Sequence, residues 1–357
     1  MHIKKLTLQN FRNYENAIFE FSDGINVLVG DNAQGKTNCA EAVFYLCTGY
    51  SPRAGKDRQV VKYGQKSAKI SGVCNSRYGL TEVEINFLLS KKDVFVNGVK
   101  LGKIGELMGN INSVFFNPGE LKLVQQSPED RRRFMDISIS QMDKSYFYTL
   151  QKYRKILEQR NDLLKSEDRE TIDQTLPLWD RELAISGVEI INKRNEFISK
   201  IYPHAQKIHS YITGGGELEL TLETPHYTGG GVDELISEYA SRVEKDIILG
   251  YTTVGPHRND IKIKVDGEDV RVYGSQGQQR TVALSLKLAE VEVFHEAFNE
   301  YPVLILDDAL SELDIKRRNR LIDLISGFQT IITLTEIPEE LKGVNAKIFK
   351  IEQGKIW

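Results

Sequence analysis

The sequence predicts an α/β fold, a P-loop nucleotide-binding head split in two by a mainly helical insertion, and three observations predict it. The octet GDNAQGKT (30–37) fits G-x-x-x-x-G-K-[ST], with an apolar run before it and helical spacing after it. A second apolar run, VLIL, ends near the other terminus in Asp307 and Asp308. Between the two, from about 120 to 249, apolar residues recur every three or four positions.

At 357 residues the chain exceeds one average domain, which suits two units or one domain with a large insertion. Hydrophobic residues at 40% and charged residues at 27% are ordinary for a globular protein. A net charge of −3 gives no global basic field, so any nucleic-acid surface must be local. Cys39, Cys47 and Cys74 show no metal-ligand spacing and fit a reducing cytoplasmic setting. No apolar run approaches the length of a membrane span, and MHIKKLTLQNF lacks the apolar centre of a signal peptide.

That first segment reads as a strand with alternating Ile3, Leu6 and Leu8. INVLVG (25–30) is a buried strand, and helical spacing follows through Ala40, Val43, Phe44 and Cys47. Residues 66–100 alternate as strands, with a hairpin turn at Asn97-Gly98, and suggest a small appended antiparallel sheet. SPEDRRRF opens the helical part, with Ser127 as cap, Pro128 at the first helical position and Asp130 three after the cap making a good helix start. Tyr146, Leu150, Tyr153, Leu157 and Leu164, then Trp179, Leu183, Ile190, Phe197 and Ile201, predict two long helices folding back on each other. Glycine runs bracket a short strand, LELTLE, before helical spacing resumes at Leu235, Ile236, Tyr239 and Val243. The α/β pattern returns from about 250 with strand DIKIKV, turn Asp266-Gly267, strand VLIL, a helix near 312–326 and strand TIITL. The head therefore comprises 1–119 and 250–357, and the helical lobe 120–249.

In the phosphate loop, Gly30 and Gly35 permit the tight turn, and the backbone N–H groups of Asp31, Asn32, Ala33 and Gln34 can face a phosphate. The helix N-terminus adds its positive end, Lys36 reaches the β/γ-phosphates and Thr37 offers a hydroxyl to Mg²⁺. Asp307, at the end of a buried strand, suits an outer Mg²⁺ ligand, and Asp308 could orient or deprotonate an attacking water. The bland alternative is that both acids cap the next helix, but Ser311 and Asp314 already make a capping box there.

A second anion site is suggested by YGSQGQQRTVALSLKLAE (273–290), which lacks a lysine. Ser275 and Gln278 form a capping box opening a helix to about Phe298. Gly274 and Gly277 leave that N-terminus uncovered. Because residues 30–37 should already cradle the chain's own phosphates, the Ser275 turn suits the γ-phosphate held by another molecule.

These three segments, in this order and spacing, resemble the ABC-type ATPase heads related to SMC proteins. LQNFRNY (8–14), FFNPGELKLVQQSPEDRRRFMD (115–136) and GPHRND (255–260) are further similar to the RecF family of bacterial recombination mediators, essentially from end to end. The resemblance implies two ATP molecules buried in a head-to-head homodimer that ADP releases. Lys36, Thr37 and Asp307 would hold Mg-ATP in cis, while Ser275, Gly277 and Gln278 contact it in trans. SELD (311–314) would run along the seam, with Asp314 a cross-subunit contact, and Arg12 would approach the nucleotide unless it is only an exposed strand-edge charge. Asn117 and Pro118 occupy the place of a sensing glutamine. The resemblance also implies a role in gap repair and the SOS response. It implies recognition of single-stranded, gapped and junction DNA, cooperation with RecR, and recombinase loading where single-strand-binding protein sits. Asp308 stands where transporters carry glutamate, and Thr335-Glu336 where relatives carry a histidine. Both departures point to a weak, DNA-stimulated ATPase acting as a timer.

Local basic clusters suit DNA phosphates: Arg53, Lys56, Arg58 and Lys62 within 51–69, and Arg131, Arg132 and Arg133 at a helix start. No base-reading motif is visible, so backbone and shape recognition is expected. His257 and Arg258 have no assigned role. Three alternatives compete. The ATP-binding subunit of a transporter is opposed by the SQGQ signature and the long insertion. An SMC-type structural ATPase needs a far longer coiled coil. A nucleotide kinase leaves the lysine-free anion turn unexplained.

Overall fold

The computed structural model describes residues 1–88, 91–166, 168–311 and 313–357. Five strands lie parallel in the order Ala346–Glu352, Ile25–Val29, Thr330–Leu334, Val303–Asp307 and Ser113–Phe116, with Lys355–Ile356 antiparallel at one edge. The central strands are apolar almost throughout, as strands covered on both faces must be. Side-chain alternation divides them between two cores. Phe115, Val303, Ile305 and Ile331 pack with the phosphate-loop helix, Lys36–Thr48. Val114, Phe116, Leu304, Leu306 and Ile332 pack with the Ser275 helix, Gln276–Phe298.

A second sheet covers the phosphate-loop helix from the other side. Its strands run Tyr14–Glu20, His2–Phe11, Ser67–Ser76, Gly79–Leu88, Lys91–Val96 and Val99–Lys100, all antiparallel. It is larger than the appended sheet expected near 66–100 because the first strand pairs on both edges. The spacing of three between Ile3 and Leu6 also has a cause. The register shifts between Ile3 and Lys5, so both side chains reach the core despite breaking strict alternation. Asn97 and Gly98 turn the expected hairpin with φ of 50° and 76°.

The helical part holds three long helices where two were expected: Pro128–Met142, Lys144–Leu163 and Arg169–Thr213. Asp143 makes the unexpected break. It leaves helical geometry, and its carboxylate accepts from the N–H groups of Ser145 at 2.9 Å and Tyr146 at 3.4 Å. Ser127 stands at the cap position as expected but makes no side-chain cap bond, its hydroxyl donating to the Asp130 carboxylate at 3.3 Å. Pro177 and Pro203 lie inside the longest helix. Packing of Leu183, Ile190, Phe197 and Ile201 into the core offsets the donors those prolines remove. The strand Leu218–Glu223 pairs with Asp260–Val265, so the helical part shares a small sheet with the C-terminal half.

Candidate functional site

The phosphate loop leaves the C-terminal end of strand Ile25–Val29, where a parallel sheet exposes its crevice. Two close approaches require its glycines. A Cβ on Gly30 (φ 156°) would lie 2.2 Å from the Ile351 carbonyl oxygen, and one on Gly35 (φ 123°) 2.8 Å from the Asn13 side chain. The loop is buttressed from outside. The Gln34 carbonyl accepts from Asn13 Nδ2 at 2.8 Å and Gly354 N–H at 2.9 Å, and the Gly35 carbonyl accepts from Tyr14 Oη at 2.9 Å. Gln34 Oε1 accepts from Gln353 N–H at 2.6 Å, so its side chain is committed to the C-terminal hairpin.

Inside the loop, Lys36 Nζ donates to the Gly30 carbonyl at 2.5 Å and the Asp31 carbonyl at 2.6 Å. Burial lowers the Lys36 pKa, opposed by the charges of Asp308, Asp307 and Asp31. Thr37 Oγ1 donates to Asp307 Oδ1 at 2.8 Å, and Thr333 Oγ1 donates to the same oxygen at 2.7 Å. Burial raises the Asp307 pKa, with the hydrogen bonds from Thr333 and Thr37 pulling against it. Asp308 follows with a left-handed φ of 54°, its N–H donating to Thr333 Oγ1 at 3.0 Å. Thr333 thus orders both aspartates. The sequence reading missed it, because a threonine in an apolar strand looks like β propensity alone.

The expected cap at Ser311 is corrected by the structure. Asp314 itself caps the helix Ile315–Ile325, accepting from Arg317 N–H at 2.9 Å, while Ser311 Oγ donates to the Asp308 carbonyl at 3.0 Å. Of the expected seam segment 311–314, Glu312 lies outside the described residues.

At the second anion turn, Ser275 caps its helix as the sequence predicts. Ser275 Oγ accepts from Gln278 N–H at 3.3 Å, and Gln278 Oε1 accepts from Ser275 N–H at 2.9 Å. Ser275, Gly277 and Gln278 lie at the surface, with Arg317 close to Gly277. The two anion turns thus belong to helices on opposite faces of one sheet. Among the described residues, no hydrogen bond or ion pair joins 30–37 to 275–278.

Arg12 sits in the two-residue turn after the first strand, at φ 53°. Its guanidinium grips Glu41 of the phosphate-loop helix with bonds of 2.8 and 2.6 Å, and Nη1 donates to the Gln59 carbonyl at 2.8 Å. Glu41 is fully buried and also accepts from Ser51 Oγ, with Arg53 Nη1 at 4.0 Å. Sequence reading missed Glu41, whose one signal is a carboxylate inside the otherwise apolar stretch CAEAVF.

The basic clusters divide. Arg53, Lys56 and Arg58 are exposed, and Lys62 is half-buried with Glu15 at 3.7 Å. Arg131 is not available to DNA, which corrects the expectation for that residue. It is buried, with Nε and Nη2 on the Asp260 carboxylate at 2.5 and 3.0 Å and Nη1 on the Leu123 and Gln126 carbonyls. Arg132 Nη1 donates to the Asn259 carbonyl at 2.8 Å, and Arg133 is exposed. Both line a cleft of about 590 Å³ between the head and the helical part, together with Tyr50, Arg154 and His257.

The family model of the RecF/RecN/SMC N terminal domain matches residues 2–355. A DNA replication and repair protein RecF from Lachnoclostridium phytofermentans is 41% identical over 360 residues, covering 100% of this chain and 99% of the relative. Its counterpart from Clostridium acetobutylicum is 40% identical over 363 residues, with the same coverage of 100% and 99%. Among solved structures, the recombination mediator protein RecF-ATP in the RecFOR pathway superposes with a TM-score of 0.91 at 34% identity, covering 100% of this chain and 97% of that one. An SmcHead bound to the C-winged helix domain of ScpA superposes with a TM-score of 0.61 at 17% identity, covering 100% and 96%, a likeness of fold. With the phosphate loop, the paired aspartates and the Ser275 turn on one ABC/SMC-type scaffold, and relatives matched along their full length, the chain belongs to the RecF family.

Proposed function

We propose that the chain is an ATP-gated DNA-binding protein of DNA replication and recombinational repair, working as a homodimer that shares ATP across its seam. One observation carries the reading. A cradle around Lys36 and a bare anion turn at Ser275 sit on opposite faces of one sheet, and nothing among the described residues joins them within one copy. A second copy can bring them together. The donor set fits Mg-ATP, because a threonine hydroxyl and a carboxylate 2.8 Å apart are hard oxygen ligands beside a lysine that bonds two backbone carbonyls. Bound there, Mg-ATP supplies the triphosphate charge that both copies contact.

The chain's own residues then divide the work. Lys36 neutralises phosphate, Thr37 and Asp307 hold the ion, and Asp308 positions water. Ser275, Gly277 and Gln278 receive the neighbouring copy's γ-phosphate. Asp308 is one methylene shorter than a glutamate, which favours slow hydrolysis serving as a timer. Arg53, Lys56, Arg58 and Lys62 contact DNA phosphates, with Arg133 as a further contact. The relatives' place in the RecFOR pathway supports RecR as partner and gapped or junction DNA as substrate.

Mass measurement in solution with ATP or ADP tests the shared site on wild type, Lys36→Arg and Ser275→Arg. A dimer is expected for wild type with ATP alone. A Ser275→Arg protein that dimerises as wild type does would sink the shared-site reading.

A further inference from the structure

The segment after the phosphate-loop helix carries more than charge. Its backbone is stitched to the end of the first strand. Arg12 N–H donates to the Val60 carbonyl at 2.7 Å, Lys62 N–H donates to the Asn10 carbonyl at 2.8 Å, and Val61 bridges Phe11. Gln65 N–H then donates to the Lys62 carbonyl at 3.0 Å, closing a four-residue turn with Gly64 at φ 82°. Tyr63 occupies the first corner of that turn and is fully exposed, with a relative exposure of 101%. Three residues before it, Val60 is fully buried and pins the segment to the core.

A lone exposed aromatic is common on proteins and by itself means nothing. Here its chain neighbours are mainly cationic, although the exposed Glu15 carboxylate lies 3.7 Å from Lys62 Nζ. Lys62 precedes it, Lys66 follows it, and Arg58 is exposed on the adjoining turn. A cleft of about 410 Å³ in the same segment is lined by Lys56, Arg58 and Lys91 with Phe87 and Val61, two residues before Tyr63. Among the described residues the one carboxylate in its wall is Asp57, which pairs with Lys92 at 3.0 Å. An aromatic ring held out by a fixed backbone between cations is the pattern that binds unpaired nucleic acid, phosphates on the cations and a base on the ring. Inside a duplex each base face is already covered by its neighbours, so the ring finds a partner only at a gap, an end or a junction.

We propose that Tyr63 is a base-stacking platform that receives an unpaired nucleobase of single-stranded or gapped DNA, while Arg58, Lys62 and Lys66 hold the adjoining phosphates. The inference rests on the DNA-binding reading of this segment and sharpens it, because it supplies selectivity for unpaired strands where the cations supply only affinity.

The test uses the full chain with ATP, its binding to gapped, single-stranded and hairpin-closed duplex DNA followed by anisotropy, and a 2-aminopurine in the gap as a stacking probe. Tyr63→Ala should weaken binding to single-stranded and gapped DNA about 5- to 150-fold, the worth of one stacked base. The gapped-to-duplex affinity ratio should fall towards one, the 2-aminopurine quenching should vanish, and Tyr63→Phe should restore both. An unchanged ratio and quenching in Tyr63→Ala overturns the platform. Reversing the charges of Arg53, Lys56, Arg58 and Lys62 separates the two readings. If that variant binds all three DNAs as wild type does, the DNA surface itself is misplaced. If it loses them while Tyr63→Ala loses none, only the platform falls.

Discussion

Arg12 closes a two-point grip on Glu41, at 2.6 and 2.8 Å, and so ties the turn after the first strand to the helix that holds the phosphate loop. The grip is costly to half-remove. Glu41 is fully buried, and truncating Arg12 leaves a carboxylate out of water with only the more distant Arg53, at 4.0 Å, as cation. Arg12→Ala should therefore destabilise the fold by about 2–4 kcal/mol. Adding Glu41→Gln to Arg12→Ala should recover part of that loss, since an amide tolerates burial better than an unpaired charge. Urea unfolding of both singles and the double completes the cycle. Additive losses would show that the two residues act independently.

The same grip extends to the proposed DNA segment, because Arg12 Nη1 also holds the Gln59 carbonyl. Stimulation of ATPase activity by DNA should fall in Arg12→Lys, which keeps the charge and loses the fork. A several-fold stimulation in wild type that persists in Arg12→Lys would disconnect the segment from the nucleotide.

The ion-holding role proposed for Asp307 comes at the expense of stability. Burial raises its pKa above the ordinary carboxylate value, so the folded state resists its ionisation. The sign follows from linkage: the stabilising contribution of its protonated form is complete below the unfolded pKa and lost as pH rises through the folded one. At neutral pH without nucleotide, Asp307→Asn should thus match or exceed wild-type thermal stability. It should also lose the stabilisation that Mg-ATP gives wild type. Thermal melts with and without Mg-ATP check both halves, and a lower melting temperature for Asp307→Asn without nucleotide would contradict the burial argument.

Residues whose roles are local were legible in the sequence. The phosphate loop is one contiguous octet, and the Ser275 cap needs only Gln278 three positions on. Roles that arise from distant pairing were not. Nothing in the sequence says that Arg131 faces Asp260, 129 positions away, so its place in a run of three arginines suggested a surface. Glu41 and Thr333 were hidden likewise, each polar in an apolar setting and explained only by what the fold brings against it. Asp143 was misjudged for a different reason. A single aspartate cap interrupts helical spacing so briefly that apolar periodicity runs across it.

The reassignment of Arg131 has its own consequence. Its guanidinium pins the helix Pro128–Met142 to the strand Asp260–Val265. Arg131→Ala should cost about 3–5 kcal/mol of stability, the usual result of breaking a buried pair from one side. Arg133→Ala, at an exposed site, should change stability by less than about 0.5 kcal/mol. Denaturant midpoints of the two variants decide it. Equal midpoints would return Arg131 to the surface cluster.

His257 gives the helical part a pH limit. Its Nε2–H donates to the Thr252 carbonyl at 3.0 Å, which leaves Nδ1 to accept from Tyr153 Oη at 2.6 Å. Burial pushes its pKa down to about 4 from 6.5, helped by the charges of Arg258, Arg132 and Arg160. A depressed folded value means the unfolded chain takes up the proton first. The stability that neutral His257 supports is therefore complete above pH 6.5 and declines as pH falls towards 4. A shift of this size carries up to about 3 kcal/mol. His257→Gln cannot take up that proton, so its melting temperature should fall less than wild type's between those pH values, even if it starts lower at neutral pH. Parallel slopes for the two proteins would mean that His257 is solvated enough to titrate normally.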